Sequence, residues 1–228
     1  LPAFAALLVV RAVWSGGCRV DLVNPYVLPS PRNVLNTFLQ MCASGEIFQD
    51  ISISLIRVLK GFSIAFVLAF LLGMLRAVFP ASGPYFEYLV QFFRSVPPLS
   101  MIPLLILWCG IGETTKVIII VLASFCPMYL NMVKGFTGCD PKLLEVGDMF
   151  GYGKREKFLK IALPYASADI LVGMRVGLGY TWLALIGAEM VAASTALGPL
   201  ILFAHQMSRP SPALACYFAI AASACIPA

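Results

Sequence analysis

The residues with most chemistry to offer lie together in Asp140 to Pro164, DPKLLEVGDMFGYGKREKFLKIALP. Lys142, Lys154, Arg155, Lys157 and Lys160 are interleaved there with Asp140, Glu145, Asp148 and Glu156. Mixed charge of this kind suits binding rather than catalysis. No serine, cysteine or histidine constellation pairs a nucleophile with a base. Asp140, Asp148 and Asp169 form no paired-carboxylate motif. The run Gly151-Tyr152-Gly153-Lys154 lacks the spacing and the hydroxyl of a phosphate-binding loop, so ATP hydrolysis is not expected of this chain. The seven cysteines, Cys18, Cys42, Cys109, Cys126, Cys139, Cys216 and Cys225, include no C-x-x-C pair, and His205 is the single histidine. That pattern argues against a metal site. Small apolar packing is the expected role of most of these thiols. Cys18 and Cys42 can fall on one outer face, where a disulfide and two free thiols are both compatible with the sequence.

The elements that must position the charged stretch follow from local rules. Asp140 suits a helix N-cap and Pro141 its first turn, so a short helix is predicted over Pro141 to Phe150. Gly151 and Gly153 break it, because glycine is poor inside helices and easy in turns. A second short helix is predicted over Lys154 to Ile161, with Pro164 opening the next apolar segment. A short helix held between two spans is a good shape for docking a soluble partner. The plainer alternative is a solvated connector.

Composition places those spans in a membrane. The 228 residues are 60% hydrophobic and 12% charged, with a mean hydropathy of +0.90. A soluble domain is nearer half apolar and a quarter charged. Crossing the hydrocarbon takes roughly 20 apolar residues as a helix. Lipid offers backbone groups no partners, which favours an all-α bundle. The net charge of +5 is not a nucleic-acid signal, since six of the sixteen basic residues lie between Lys134 and Lys160. That excess predicts a cytoplasmic loop. With six spans, both ends of the chain fall on the same side. The chain starts and stops inside apolar runs without an initiator Met, and we read it as a piece of a longer protein.

Along the chain, Leu1 to Trp14 reads as the tail of a first span, with Arg11 inside it. Ser30 is expected to cap an amphipathic helix from Pro31, with Val34, Leu35, Phe38 and Met41 on one side. Ile53 to Val78 is a second span, and Arg57 and Lys60 near its start are expected to snorkel to the interface. Pro80 to Pro84 is a tight turn. Tyr85 to Cys109 is a third span interrupted by Pro97, Pro98 and Pro103. Such breaks survive where protein or a water-filled cavity serves the freed backbone. Arg94 within it is either a tie between helices or a cation beside an anion pathway. Lys116 to Met132 is a fourth span and contains Pro127. Pro164 to Val191 is a fifth, where Gly173, Gly177 and Gly179 allow close helix approach. Asp169 and Arg175 are placed near its loop end, and Glu189 at its far end. A loop over Ala192 to Pro212 and a sixth span from Ala213 follow. No internal repeat or second domain is evident.

The order of residues in the charged stretch adds a resemblance. Glu145-Val146-Gly147, Gly151 and Ile161-Ala162-Leu163-Pro164 resemble the EAA loop of ABC-importer permeases, E-A-A-x3-G-x9-I-x-L-P. Three residues separate Gly147 from Gly151, and nine separate Gly151 from Ile161, as that pattern requires. Val146 and Gly147 depart from the usual alanines. LPSPRNV, SLIRVLKGF, RSVPPLSMIPLLILWCGIGE and GMRVGLGYTWLALIGAEM are similar to the nitrate, sulfonate and taurine branch, so the likeness runs from about Leu28 to Leu200.

The resemblance implies one transmembrane permease domain over 1–228, of the type I importer fold, with about six spans and a coupling loop over 135–163. It implies that Glu145, Val146, Gly147, Gly151, Ile161, Leu163 and Pro164 form the loop that sits in a cleft of an ATP-binding subunit. Two such subunits would carry ATP and Mg, while this chain holds no cofactor. An extracytoplasmic binding protein would deliver the solute, and a second permease subunit, as a homodimer, would complete the pathway in the bacterial inner membrane. Candidate pathway residues are Arg94, Ser95, Pro97 and Glu189. Small anions or organic acids are the implied cargo, with heterocyclic vitamin precursors as an alternative within the family. An ion-coupled secondary transporter is the main rival, but neither a coupling-ion site nor an inverted repeat is evident.

Overall fold

Ser30 and Asp140 each stand immediately before a proline, and both start helices as their chemistry dictates. A computed structural model describes Trp14 and residues 29–79, 83–192, 211–214 and 216. The Ser30 side chain accepts from the Asn33 amide at the head of α1 (Pro31–Ser44), which Gly45 ends at a φ of 80°. Val34 is buried and Phe38 and Met41 are half-buried, whereas Leu35 is exposed.

The long helix α2 (Glu46–Val78) begins seven residues before the expected Ile53. The expected third span is not one rod. Helix α3 (Gly83–Ser95) ends before Val96 and Pro97, a 3-10 turn covers Pro98–Met101, and α4 (Ile102–Cys109) follows. The two arms meet at 78°. Pro97 and Pro98 supply no N–H, so helical bonding cannot pass through this point. Helix α5 (Glu113–Thr137) carries Pro127 inside it. Helix α6 (Pro141–Met149) and α7 (Lys154–Lys157) form the charged stretch. Helix α8 (Leu163–Ala192) then runs out of it. No strand occurs among the described residues.

By length and composition, Ile47–Val78, Glu113–Thr137 and Arg155–Met190 can each cross a membrane, and the bent pair Glu87–Ser95 with Pro98–Cys109 makes a fourth candidate. The expected spans at either end, the turn at Pro80, Arg11, Cys18, Cys225, His205 and most of the loop over 192–212 lie outside the described residues. Cys42 is a free thiol.

The chain divides into two units, one formed by Leu1–Leu55 with Glu189–Ala228 and the other by Ile56–Ala188. In the larger unit α2, α3, α5 and α8 share a core around Ala65, Ala69, Val90, Met128, Met132 and Ala166. Phe62, Phe66 and Phe70 stack at one-turn spacing along α2, and Phe70 meets Phe136 edge-on. Small residues set the helix spacing. A methyl at Gly173 would come 2.9 Å from Asn131 Cβ, and one at Gly177 would run into Met128. Among the described residues nothing lies within 4 Å of a methyl at Gly179, so the close approaches seen are those at Gly173 and Gly177.

Candidate functional site

The charged stretch folds as a small hairpin with its own fastenings. At its head the Asp140 carboxylate accepts from the Lys142 amide at 2.9 Å. At the end of α6 the Tyr152 N–H donates to the Gly147 carbonyl and the Gly151 N–H to the Asp148 carbonyl, both at 2.9 Å. This is a Schellman ending, and it requires the left-handed backbone that Gly151 adopts at φ 71°. Two residues later Gly153 caps α7, with Glu156 reaching back to its N–H at 3.2 Å. That is the acidic half of a capping box.

The two arms are joined across the turn. Lys157 pairs with Asp148. A methyl at Gly147 would lie 2.7 Å from Ile161 Cδ1 and 3.3 Å from Lys157 Cγ. Glycine here lets α6 lie directly on the returning arm, while alanine would need only the tip of Ile161 to move. Lys160 pairs with Glu156 at 3.1 Å and sits 4.3 Å over the Tyr152 ring, which stacks on Phe150.

The returning arm corrects one expectation. Pro164 does not open a separate helix. The chain is helical from Lys154 onward, with a widened π turn at Phe158–Ala162 in which the Leu163 N–H bonds the Phe158 carbonyl. Proline lacks a donor and crowds the preceding turn. A wider turn just before it gives the ring room without ending the helix. Leu163 packs against the core, and Pro164 is exposed.

The outward face of α6 combines Glu145 with Val146, Met149 and Phe150. Met149 is 87% exposed and Phe150 71%. Glu145 makes no ion pair among the described residues. Of the motif positions, Gly147, Gly151 and Ile161 therefore build the hairpin, while Glu145 and Val146 are presented by it. Beside it Cys139 stays a neutral thiol, since burial and then the Asp140 carboxylate push it above its ordinary range.

A cavity of about 410 Å³ lies between the α3–α4 corner and the part of α5 that contains Pro127. Pro127 supplies no donor to Ala123, and its own carbonyl accepts from Asn131 Nδ2 at 2.8 Å. Arg94, Asn131 and Tyr180 bring polar groups to the wall, with Phe93, Leu122 and Leu130 among its apolar residues. Among the described residues Arg94 is the one charged group in that wall. Ser95 and Pro97 belong to the corner itself: Ser95 Oγ donates to the Gln91 carbonyl at 2.8 Å, and the Pro97 carbonyl accepts from both the N–H and Oγ of Ser100. Glu189 is buried elsewhere, in the smaller unit, and accepts from Ser54 Oγ at 2.8 Å.

A second charged group was not foreseen. Arg57 does not snorkel. Its side chain is 6% exposed, and its Nε and Nη2 donate to Glu113 at 2.6 and 2.7 Å. Lys116 Nζ, also buried, donates to the same carboxylate at 2.8 Å. Lys60, one turn on, is exposed. The spacing of Glu113 and Lys116 was a usable signal, because residues three apart on a helix are neighbours. Of the loop-end pair on α8, Asp169 is tied to Lys134 at 2.9 Å and Arg175 is exposed.

Comparison with known proteins shows the family. Residues 65–227 match the family described as binding-protein-dependent transport system inner membrane component. The SsuC protein of Bacillus subtilis (strain 168), assigned to aliphatic sulfonates transport as a permease, is 34% identical over 207 residues, which are 91% of this chain and 75% of that protein. The corresponding SsuC of Escherichia coli (strain K12) is 36% identical over 86% of this chain and 75% of its own length. The nitrate import permease protein NrtB of Synechocystis sp. is 29% identical over 89% of this chain and 76% of its own. With its helical spans, this chain belongs to the family of inner membrane components of binding-protein-dependent transport systems, the permeases of ABC importers.

Proposed function

We propose that this chain is the membrane-spanning subunit of an ATP-driven importer, with the α6 hairpin as its grip on an ATP-binding subunit. The observation that carries the reading is the hairpin's division of labour. Its inward residues fasten it into one body, and its outward residues put a lone carboxylate among exposed apolar side chains. A surface of that composition is fit to be covered by a partner. Two ATP-binding subunits would supply the ATP and Mg chemistry for which this chain has no phosphate loop. A binding protein would bring the solute from outside, and a second copy of this chain would complete the pathway, with the hairpin on the cytoplasmic side. ATP-driven closure of the motor pair would then move the hairpin and bias the spans between two access states.

The cargo in this reading is a small anion or organic acid. Arg94 in an otherwise uncharged cavity favours a negative group, and the aliphatic sulfonates and nitrate named for the relatives are of that kind. The test is Glu145→Arg. It should abolish copurification of the ATP-binding subunit and ATP-dependent uptake while the chain still inserts. Unchanged copurification with normal uptake would refute the grip.

A further inference from the structure

A second cavity, of about 530 Å³, lies along the same helix as the first. Glu87, Gln91 and Tyr129 line it, together with Leu130 and Val133. Glu87, Gln91 and Arg94 are spaced four and then three residues apart, so they form one polar stripe along α3. Arg94 serves the first cavity and Gln91 and Glu87 the second. Leu130 of α5 borders both. A helix facing only lipid has no use for a stripe of this sort, because polar groups at depth are costly unless they line a wet path or a protein interior.

We infer that the two cavities are successive chambers of one anion route along α3, with the Leu130 side chain as the partition between them. This rests on the proposed function for its direction, from the Arg94 chamber toward the hairpin end. The charges suit release in that direction. The upper chamber offers an anion a cation. The lower one offers a carboxylate, Glu87, held 3.1 Å from Arg76 at the head of the exit. An anion that passes Leu130 therefore loses its attraction and does not linger.

The experiment uses the assembled transporter in inside-out vesicles, with native cysteines replaced and Gln91→Cys or Leu130→Cys introduced. The probes are an anionic and a cationic methanethiosulfonate, sulfonatoethyl and trimethylammonioethyl. Both thiols should react from the exposed cytoplasmic side. At Leu130→Cys the anionic reagent should be favoured about tenfold, an effect of the size a nearby charge produces in a partly wet site. Arg94→Gln should remove that preference, and Gln91→Cys should show less of it, since Glu87 shares its chamber. Full modification of Leu130→Cys should stop uptake of radiolabelled ethanesulfonate, and Leu130→Trp should do the same while the ATP-binding subunit still copurifies. Thiols that react only with a membrane-dissolved maleimide would place the stripe against lipid and overturn the route. So would full uptake after complete modification. The unmodified transporter's ATP-dependent ethanesulfonate uptake is read in parallel. If both it and ATP-dependent nitrate uptake are absent, the functional reading fails; if uptake is present while the thiols stay inert, only the route fails.

Discussion

Two charged regions of this molecule are built on opposite plans. In the hairpin, ion pairs join residues close in sequence, Asp148 with Lys157 and Glu156 with Lys160, and most of the side chains involved are open to solvent. In the cluster around Glu113, Arg57 reaches its partner across 56 residues of sequence, and both cations, Arg57 and Lys116, are almost wholly buried. The first kind trims a local shape. The second ties α2 to the head of α5 through one carboxylate that two buried cations share. Exposed pairs contribute little because water competes for them. Buried ones are costly to break because a charge is left without solvent or partner.

That contrast is open to direct attack. The largest effect is expected from Glu113→Ala, which removes the carboxylate that buried Arg57 and Lys116 share. Loss of a partner from a fully buried pair costs about 3–5 kcal/mol, but Glu113 is itself well exposed and water can enter, so about 2–3 kcal/mol is expected here. Denaturant-induced unfolding in detergent would measure it, and a loss below that of any hairpin variant would reverse the ranking. Next comes Gly147→Val, which forces α6 off Ile161 and Lys157 and should cost about 1–3 kcal/mol as overpacking does. Its expected signature is faster proteolysis within 140–162, with the spans unaffected. The smallest effect is expected from Lys157→Ala. It removes an exposed carboxylate's partner and should shift stability by about 0.5 kcal/mol, a change best seen as hydrogen exchange confined to α6 and α7. A global loss of stability from Lys157→Ala would show that the hairpin is not the self-contained piece its contacts describe.

The same difference governs how much could be read from the chain. The hairpin was legible because its rules are short-range. Asp140 before Pro141 gives the cap, and Gly151 gives the left-handed ending ten residues later. Arg57 was misplaced because its partner lies on another helix, and no spacing within α2 reports Glu113. The corner at Pro97 was visible as a break, but its 78° angle was not, since prolines remove donors without fixing the direction in which the chain resumes. Pro164 misled for a related reason. Proline at a helix start and proline tolerated inside one look alike in sequence, and the widened turn that distinguishes them is a matter of backbone bonding. In the cavity, Arg94 could be singled out as a cation at depth, whereas Leu130, which borders both chambers, is indistinguishable in sequence from any other leucine.

The widened turn at Phe158–Ala162 also fixes a compass bearing. One additional residue in a helical turn rotates everything beyond it by about 100° around the axis. The azimuth at which the hairpin points away from α8 is thus decided by a single-residue count. Deleting Ala162, which lies beyond Lys160 and Ile161, would keep those two fastenings in sequence with the hairpin and aim its outward face roughly a quarter-revolution away from where the wild-type chain presents it.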